Sequence, residues 1–403
     1  MSWYDCIAWT AILAQVLLIY NAMRNYRYAL AKYQRPTPTT FRPRTAVIIP
    51  CKGLDAGFRA NIESFFALDH GPYSLLFVVQ EESDPAYAAL REIAGRLQST
   101  SNAVDVQILI AGLSRHCSQK IHNLLYALEH VPLETEILAF ADSDICVNRD
   151  WLSHLTWPLR RPKHGATTGY RWFVPIRNNL ATLALSAVNA GVAQLLGNSR
   201  FNHAWGGSMA IRTKDFHRLD LPTIWRNTLS DDLSLSQAVK RAGMRVVFVP
   251  GCLTASCETT TWPKLYEFAR RQFLITRVYA PATWWLGFLG SLGSVVGLWG
   301  TAALAAYAWS INAEHRWLYT AVPAFFLVGQ LIRVILRQSM IVKVFHTRAA
   351  SVRPAVIADI LGFWFWSLLQ LVFILSSAFG RTIRWRGIRY RLVSATQTEV
   401  LTD

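Results

Sequence analysis

Two aspartates stand one residue apart at the end of an apolar run near the middle of the chain, Ile137-Leu138-Ala139-Phe140-Ala141-Asp142-Ser143-Asp144. The run is typical of a buried strand, and open α/β sheets bind ligands outside the carboxyl ends of their strands. Mg²⁺ and Mn²⁺ prefer oxygen ligands and take only one or two carboxylates, with water and substrate phosphates completing the shell. Asp142 and Asp144 are therefore candidate ligands of a divalent cation that binds a diphosphate, and the alternative is an acidic turn that solvates the strand end.

A second pair of acids, Asp231 and Asp232, follows Ser230 and precedes apolar residues at helical spacing. Acids in the first turn stabilise a helix by roughly 0.3–1 kcal/mol, so capping alone could explain the pair. A carboxylate held there could instead act as a general base toward a hydroxyl group. The pair is a candidate catalytic site whose structural alternative is a helix N-terminus.

Two lysines and a glycine loop stand where a phosphate-bearing ligand could bind. Lys52 follows the first predicted strand and Lys120 lies near the start of a predicted helix, although Lys120 could also be a solvated surface lysine. The Gly206-Gly207-Ser208 segment leads into another strand. Glycines there let the backbone approach a ligand closely, or they simply form a turn.

Strands and helices alternate between about Phe41 and Val278, which predicts an α/β fold with a mostly parallel sheet and flanking helices. The predicted strands are residues 45–50, 74–80, 104–110, 137–141 and 246–249. The predicted helices are residues 58–67, 85–97, 119–130 and 151–160, with a buried or membrane-apposed helix at 180–196. In such a sheet the first pair of aspartates faces a crevice rather than the core.

Long apolar stretches near both ends predict a membrane protein. They are residues 3–20, 283–309, 317–336 and 357–379 in a chain of 403 residues. Residues 264–278 have the pattern of an amphipathic helix in the membrane interface, with Arg270, Arg271 and Arg277 beside apolar side chains. The predicted organisation is a transmembrane anchor at 1–35, an α/β domain at 36–261, an interfacial helix at 262–281, membrane helices at 282–380 and a basic cytosolic tail at 381–403.

The formal net charge is +16, and the basic residues cluster beside apolar stretches, which indicates anionic lipid rather than nucleic acid as the partner. Six basic residues follow the first apolar stretch without an intervening acid: Arg24, Arg27, Lys32, Arg35, Arg42 and Arg44. By the positive-inside rule they place the α/β domain in the cytosol. The six cysteines contain no C-x-x-C pair, so reduced thiols are expected.

The basic tail conflicts with a simple count of membrane spans. Three full crossings after a cytosolic domain would put residues 381–391, which contain arginines and no acid, outside. The positive-inside rule favours a cytosolic tail, so one stretch is expected not to cross. Gln370 makes residues 357–379 the candidate for a re-entrant or surface-lying segment.

The order of the acidic sites, beginning with Asp84, resembles that of lipid-directed glycosyltransferases with the GT-A fold, and the closer resemblance is to the ceramide glucosyltransferase family in a bacterial-type member. The similar blocks are Pro50-Cys51-Lys52-Gly53, the segments 61–69, 79–85 and 119–124, Asp142-Ser143-Asp144, Gly206-Gly207-Ser208, Asp231-Asp232 and the segment 385–391. They cover the whole α/β domain and the C-terminus.

The resemblance implies a role for each matching residue. The nucleotide would be bound by Lys52, Asp84, Lys120 and Asp142, and the Mg²⁺ or Mn²⁺ ion by Asp142 and Asp144. Asp232 would be the general base, and a single base of this kind implies inversion at the sugar. The acceptor and diphosphate region would comprise Gly207, Ser208, Asp231, Arg270, Arg271 and Trp385. The implied reaction moves a hexose from a UDP-sugar, with UDP-glucose favoured, to the hydroxyl of a lipid, with ceramide favoured.

One element of the family, (Q/R)-x-x-R-W on the interfacial helix, is incomplete, because Arg271 is followed by Gln272-Phe273-Leu274-Ile275. Arg270, Arg277 and Trp385 are the candidates to replace its missing residues. The Trp of this element usually lines the acceptor and sugar pocket, so a hopanoid or diacylglycerol acceptor is the alternative to ceramide.

Two other functions are less favoured. A polysaccharide synthase would need more membrane spans to form a channel, and the intact acids disfavour a catalytically silent membrane scaffold. The implied location is the bacterial inner membrane, with the catalytic domain on the cytosolic side.

Overall fold

The computed structural model describes residues 3–345 and 349–401, which form two compact units. The α/β unit comprises residues 31–173 and 198–258 and the described residues from 381 onward. The helical unit comprises the described residues of 1–30, 174–197 and 259–380. These units differ from the ranges drawn on the sequence, because residues 174–197 group with the apolar helices and the basic tail groups with the α/β unit.

Among the described residues, seven strands form the main sheet and three form a small C-terminal sheet. They are β1 (Thr45–Pro50), β2 (Tyr73–Val79), β3 (Ala103–Ile110), β4 (Ile137–Ala141), β5 (His164–Pro175), β6 (Ser208–Arg212), β7 (Arg245–Glu258), β8 (Thr382–Trp385), β9 (Ile388–Leu392) and β10 (Thr398–Leu401). The main sheet has the order β3-β2-β1-β4-β6-β5-β7, in which β3, β2, β1 and β4 are parallel and β6 is antiparallel to β4 and β5. The small sheet is antiparallel, in the order β10-β9-β8.

The α-helices alternate with the strands in the first half of the chain and dominate the second half. They are α1 (Trp3–Tyr33), α2 (Phe58–Phe66), α3 (Pro85–Leu97), α4 (Gln119–Leu128), α5 (Trp151–Thr156), α6 (Leu180–Ala193), α7 (Thr213–Arg218), α8 (Leu221–Trp225), α9 (Asp231–Arg241), α10 (Trp262–Tyr279), α11 (Pro281–Val295), α12 (Thr301–Ser310), α13 (Arg316–Val344), α14 (Ala349–Leu361) and α15 (Phe363–Ser376). The predicted fold class, α/β with a mostly parallel sheet and flanking helices, is confirmed, and the structure also contains the long apolar helices that the sequence predicted.

Both faces of the main sheet are buried, which explains the uninterrupted apolar runs of its strands. Successive side chains of a strand point to opposite faces. Ile49 of β1 accordingly packs in one cluster with Trp151 of α5, whereas Ile48 packs in a second cluster with Trp225 of α8. Helices pack against both faces of the sheet, so the loops at its carboxyl edge extend from a closely packed core.

The sheet has a topological switch point between β1 and β4, because β2 and β3 lie on one side of β1 and β4 lies on the other. Loops that leave the carboxyl ends of such a strand pair diverge and leave a crevice between them. The Cys51-Lys52-Gly53 loop leaves β1 at this edge, and Asp142-Ser143-Asp144 leaves β4. Since β6 is antiparallel to β4 and Ser208 pairs with Ala141, the Gly206-Gly207 loop arrives at the same edge.

Within residues 3–345 and 349–401, three helical segments are long and apolar enough to cross a membrane: residues 5–33, 281–310 and 316–344. The second consists of α11 and α12, joined by a π-helical turn at Val296–Gly300. The pair α14 and α15 is also apolar, but it is bent by 89° at Gly362. These helices fit a membrane protein. The bend falls inside residues 357–379, and the expectation that this stretch does not cross stays a prediction.

The helix α13 continues past residue 336, where the sequence predicted its apolar span to end. Arg337 of α13 forms a buried ion pair with Asp359 of α14, and Gln338 also donates to that carboxylate. A charge is tolerated inside a helical bundle when a partner and hydrogen bonds satisfy it. The partner lies on another helix, so the sequence alone did not indicate it.

Candidate active site

Lys120, in the first turn of α4, links two of the predicted carboxylates. Its Nζ lies 2.8 Å from Asp142 Oδ1 and 3.2 Å from Asp231 Oδ2, and the three side chains are only 13%, 23% and 5% exposed, respectively. Burial disfavours the charged form of each group. The two carboxylates nevertheless raise the pKa of Lys120, and the lysine lowers the pKa of Asp142. Lys120 is therefore a buried, paired cation and not a solvated surface lysine.

Asp231 and Asp232 begin α9, but their carboxylates have different surroundings. Ser230 is the N-cap, and its Oγ accepts a hydrogen bond from Leu233 N at 3.2 Å. The buried Asp231 carboxylate lies against Lys120, and burial raises its pKa to about 6 against the opposing attraction of that lysine. Asp232 is half-buried, so it is the more accessible carboxylate of the pair.

The Asp232 carboxylate is held in place by three donors. Its Oδ1 accepts hydrogen bonds from Leu233 N at 2.7 Å and Ser230 Oγ at 2.5 Å. Its Oδ2 accepts one from Gly206 N at 3.1 Å. Two donors come from the start of α9 and the third from the loop before β6. The carboxylate is thus preorganised between two elements of the fold, and helix capping by Ser230 does not account for its link to Gly206.

The Gly206-Gly207 loop needs glycine because it runs against the charged groups. A Cβ atom on Gly206 would lie 2.7 Å from Lys120 Nζ and would also meet Asp231 Oδ2. A Cβ atom on Gly207 would lie 2.6 Å from Asp142 Oδ2 and would overlap the Trp205 ring. The close approach to these side chains, rather than a plain turn, explains both glycines.

Asp144 has the features of an oxygen ligand for a cation. Its Oδ1 is buried and, within residues 3–345 and 349–401, has no hydrogen-bond partner. Burial raises the pKa of Asp144 to about 6, and the neighbouring Asp142 contributes to the rise. A bound cation would supply the missing partner and favour the charged carboxylate.

The described residues contain no group of three or more His, Cys, Asp or Glu side chains arranged to hold a metal ion. Two carboxylates with an orphaned oxygen still suit Mg²⁺ or Mn²⁺, because these ions commonly complete their shells with water and substrate phosphates. Asp142 and Asp144 therefore fit a cation that is bound together with a phosphorylated ligand.

Asp84 joins the loop after β1 to the start of α3. Its Oδ1 accepts hydrogen bonds from Gly53 N and from Ala86 N, both at 2.9 Å, so it is also the N-cap of α3. Gly53 has φ +67°, a conformation that glycine adopts without strain. Lys52 Nζ donates to Gln80 Oε1 at 3.2 Å. Asp84 and Lys52 thus lie at the carboxyl edge of β1 and β2.

Cys51 directly follows β1 and precedes the Lys52-Gly53 loop that contacts Asp84. Its thiol is buried, which raises its pKa, and the charges of Asp84 and, less strongly, Asp142 raise the pKa further. A thiol with a raised pKa stays protonated and is a poor nucleophile or metal ligand. Cys51 is therefore a packing residue of the hydrophobic core.

Two predicted residues of the α/β unit have structural contacts. Ser208 is fully buried at the start of β6, and its Oγ accepts a hydrogen bond from Trp151 Nε1 at 2.9 Å. Trp385 ends β8 and pairs with Ile388 of β9. These contacts fix the elements that carry the two residues, and their part in acceptor binding stays a prediction.

Arg270 and Arg271 lie on α10 in the helical unit. Arg270 donates to the carbonyl groups of Ser376 at 3.1 Å and Phe379 at 3.0 Å, which lie at and beyond the end of α15. Helix ends leave such carbonyls without intrahelical donors, so this contact stabilises the turn. The Arg271 guanidinium lies 5.5 Å from the ring centre of Phe268. Their predicted role in the diphosphate region is not tested by these contacts.

Two groups near the carboxylates were missed by sequence reasoning. Arg171 of β5 lies 3.8 Å from Asp144 and 5.5 Å from the ring centre of Trp205. Arg386, in the turn between β8 and β9, forms a two-pronged ion pair with Asp55 in the loop after β1. The strand containing Arg171 was not predicted. The alternation of arginines with apolar residues in segment 382–392 was a strand signal that could have located Arg386.

Replacing Lys120 with Met is expected to destabilise the protein by roughly 3 kcal/mol, because it leaves two buried carboxylates without their cation. The apparent Tm in detergent should fall by about 5–10 °C. Lys214→Met, at an exposed lysine, is the matched control and should leave Tm nearly unchanged. Adding Asp231→Asn to Lys120→Met should recover part of the loss. An unchanged Tm for Lys120→Met would show that the pairs do not stabilise the fold.

Gly207→Ala is expected to lower Mn²⁺ affinity and Tm, since the added methyl group must displace the Trp205 ring or Asp142. Changing a group that orients a metal ligand typically costs about 10–100-fold in metal affinity, so a roughly tenfold weaker affinity for Mn²⁺ is expected when Asp142 is displaced. The control is Gly95→Ala in α3, where a Cβ atom meets nothing within 4 Å and alanine favours the helix. Equal behaviour of the two variants in a Mn²⁺ titration and in thermal unfolding would contradict the proposed close approach.

The chain matches the model of glycosyl transferase family 21 over residues 8–398. Similar solved structures include a mannosyltransferase from Pyrobaculum calidifontis in complex with GDP-Man and Mn²⁺, at 15% identity and a TM-score of 0.46, covering 92% of this chain and 97% of that one. Another is GalNAc-T7 with UDP, GalNAc and Mn²⁺, at 12% identity and a TM-score of 0.38, covering 58% and 51%. A mycobacterial protein matches at 13% identity and a TM-score of 0.38, covering 61% and 80%. Because the family match spans nearly all of the sequence, the chain belongs to glycosyl transferase family 21, the ceramide glucosyltransferase family, and thus to the sugar-transferring enzymes.

Proposed function

We propose that this glycosyltransferase is a membrane-bound, inverting enzyme that moves a hexose from a UDP-sugar, with UDP-glucose favoured, to the hydroxyl of a lipid, with ceramide favoured. One observation carries the proposal. Lys120 joins Asp142 to Asp231, and Gly206 joins that cluster to Asp232, at the switch point of the sheet. The site thus offers carboxylates for a cation beside a separate, accessible carboxylate for a proton.

The proton acceptor in this proposal is Asp232. The lipid hydroxyl oxygen attacks the anomeric carbon of the sugar, the bond from that carbon to the diphosphate breaks, and the hydroxyl proton passes to the Asp232 carboxylate. An alcohol is a weak nucleophile, and a positioned general base contributes typically about 10²–10⁴-fold to the rate. Attack opposite the leaving diphosphate inverts the configuration at the sugar.

Asp142 and Asp144 would hold a Mg²⁺ or Mn²⁺ ion in this enzyme. When bound, the cation neutralises charge that develops on the departing UDP. Lys52 and Asp84, at the carboxyl edge of β1 and β2, are proposed to bind the nucleotide. Lys120 keeps Asp142 ionised and therefore ready to coordinate, because it lowers the pKa of that carboxyl.

The acceptor is proposed to be a membrane lipid because three helices within the described residues are long and apolar enough to span a bilayer. The basic residues in the last turns of the first helix and directly after it, from Arg24 to Arg44, favour a cytosolic position for the α/β unit. The bacterial inner membrane is the proposed location. Anionic lipid headgroups would interact with the basic segments.

The test is an incubation of the purified full chain in detergent with Mn²⁺, labelled UDP-sugars and a total lipid extract, followed by mass identification of the product. A hexosylceramide would support the full proposal. A glycosylated hopanoid or diacylglycerol would retain the chemistry and correct the acceptor. A growing polysaccharide, or no turnover with any UDP-sugar, would overturn the proposal.

A further inference from the structure

The turn between β8 and β9 carries an arginine in a conformation that arginine seldom adopts. Trp385 pairs with Ile388 across two residues, and Arg386 has φ +50° while Gly387 has φ +86°. Two positive φ values mark a type I′ turn, whose first position favours Asn, Asp or Gly. Backbone strain of this kind concentrates at functional sites. The fold therefore holds Arg386 in a backbone conformation that arginine disfavours.

The Arg386 side chain reaches the edge of the sheet where the candidate site lies. Its two terminal nitrogens donate to the two carboxylate oxygens of Asp55, at 2.8 and 2.6 Å. Asp55 belongs to the loop that leaves β1 and follows Lys52 and Gly53. The turn of the C-terminal hairpin thus contacts the loop after β1, and the same loop donates a hydrogen bond to Asp84 through Gly53 N.

Arg386 adds an accessible positive charge to this edge of the sheet. Lys120 is held between Asp142 and Asp231 and is 13% exposed, whereas the Arg386 side chain is 45% exposed. Arg386 is therefore the more accessible of these two cations.

The Arg386–Asp55 pair shows which ligand geometry the guanidinium can satisfy. A guanidinium group binds carboxylate and phosphate oxygens through the same two parallel N–H groups. An exposed ion pair contributes little to the free energy of unfolding. Replacing Asp55 with another anion as the partner of Arg386 therefore costs little free energy. Asp55 can act as a placeholder for a more highly charged anion at this edge.

We propose that Arg386 binds the diphosphate of the nucleotide and that Asp55 occupies its guanidinium until the nucleotide arrives. This role rests on the proposed function, since it requires a nucleoside diphosphate at the edge of the sheet that carries Asp142 and Asp144. Arg386 is then a binding residue supplied by the C-terminal hairpin, and the basic segment is part of the catalytic unit.

The test measures binding of UDP and of uridine to the full chain in detergent with Mn²⁺. Arg386→Asn is the informative variant, because Asn-Gly is a preferred type I′ turn and the hairpin should keep its shape. UDP affinity is expected to fall about 10–100-fold, as for the loss of charged hydrogen bonds, while uridine affinity and Tm stay at the wild-type values. Arg386→Lys should lose less, since the charge remains.

Two further variants separate ligand binding from a structural ion pair. Arg391→Asn removes an exposed arginine of β9, paired with Glu399 at 3.8 Å, and should leave UDP affinity unchanged. Asp55→Asn should leave UDP affinity unchanged or raise it, because the competing anion is removed. Equal UDP losses for Asp55→Asn and Arg386→Asn, or wild-type UDP affinity in Arg386→Asn, would overturn the role of Arg386. A wild-type protein that binds no UDP would instead overturn the proposed function itself.

Discussion

Asp232→Asn is expected to lower kcat for sugar transfer by about 10²–10⁴-fold while UDP binding is retained, since the change removes the proposed general base and leaves the cation ligands intact. The amide can still accept one of the backbone hydrogen bonds from Leu233 N or Gly206 N. Losing the other and the negative charge at the start of α9 should destabilise the protein by only about 1–2 kcal/mol. Single-turnover assays and a UDP titration on the same preparation separate the two effects.

The matched control for this variant is Asp220→Asn. Asp220 is exposed and has φ +52°, which Asn tolerates as well as Asp does, so neither turnover nor Tm should change. Asp231→Asn provides a second comparison, because that carboxylate is buried against Lys120. Near-normal turnover by Asp232→Asn would refute its role, and a loss confined to Asp231→Asn would move the base to that residue.

The parallel half of the fold was readable from the sequence because its strands are buried on both faces. Segments such as Thr45–Pro50 and Ile137–Ala141 are continuous apolar runs of strand length, and turn residues separate them from helical patterns. The chemistry-bearing residues follow those runs directly, so their common edge could be anticipated from the order of strands and helices. The starts of α4 and α9 were also predictable, since Ser118 and Ser230 precede them as N-caps.

The antiparallel elements gave weaker signals. β5 contains Gly165 and Gly169, whose backbone packs closely against Met244 and Cys252. Glycines at these positions interrupt the alternation of apolar and polar side chains by which a strand is recognised in a sequence. The β8–β9 hairpin has a correct alternation of apolar and basic residues, but its Arg386-Gly387 turn lacks the usual Asn-Gly signal. The arginines of this segment suggested a basic cytosolic tail instead.

The ion pairs of the site could not be predicted for a different reason. Lys120 and Asp231, like Arg386 and Asp55, are far apart in the sequence, and only the tertiary fold brings them together. No local pattern encodes which of the many lysines and arginines will be buried beside a carboxylate. Sequence reasoning supplied the residue types at the edge of the sheet, and tertiary structure decided which of them face each other.

Asp144→Ala is expected to weaken UDP binding by at least about 100-fold when Mn²⁺ is present and to leave the weak binding in chelator unchanged. The reason is the orphaned, buried Oδ1 of Asp144, for which a cation is the partner that fits. Removing a carboxylate with a raised pKa should not destabilise the fold, because that group gains little from its surroundings in the absence of a cation. Calorimetric titrations with UDP, in Mn²⁺ and in chelator, measure the difference.

The control for Asp144→Ala is Asp69→Ala, at an exposed carboxylate whose ion pair with Arg42 lies on the surface. That variant should bind UDP as the wild type does in both solutions. Equal losses for Asp144→Ala in Mn²⁺ and in chelator would mean that the carboxylate acts on the nucleotide or on the fold rather than on a cation. A loss that appears only with Mn²⁺ would tie Asp144 to the cation, because the nucleotide and the fold are the same in both solutions and only the ion differs.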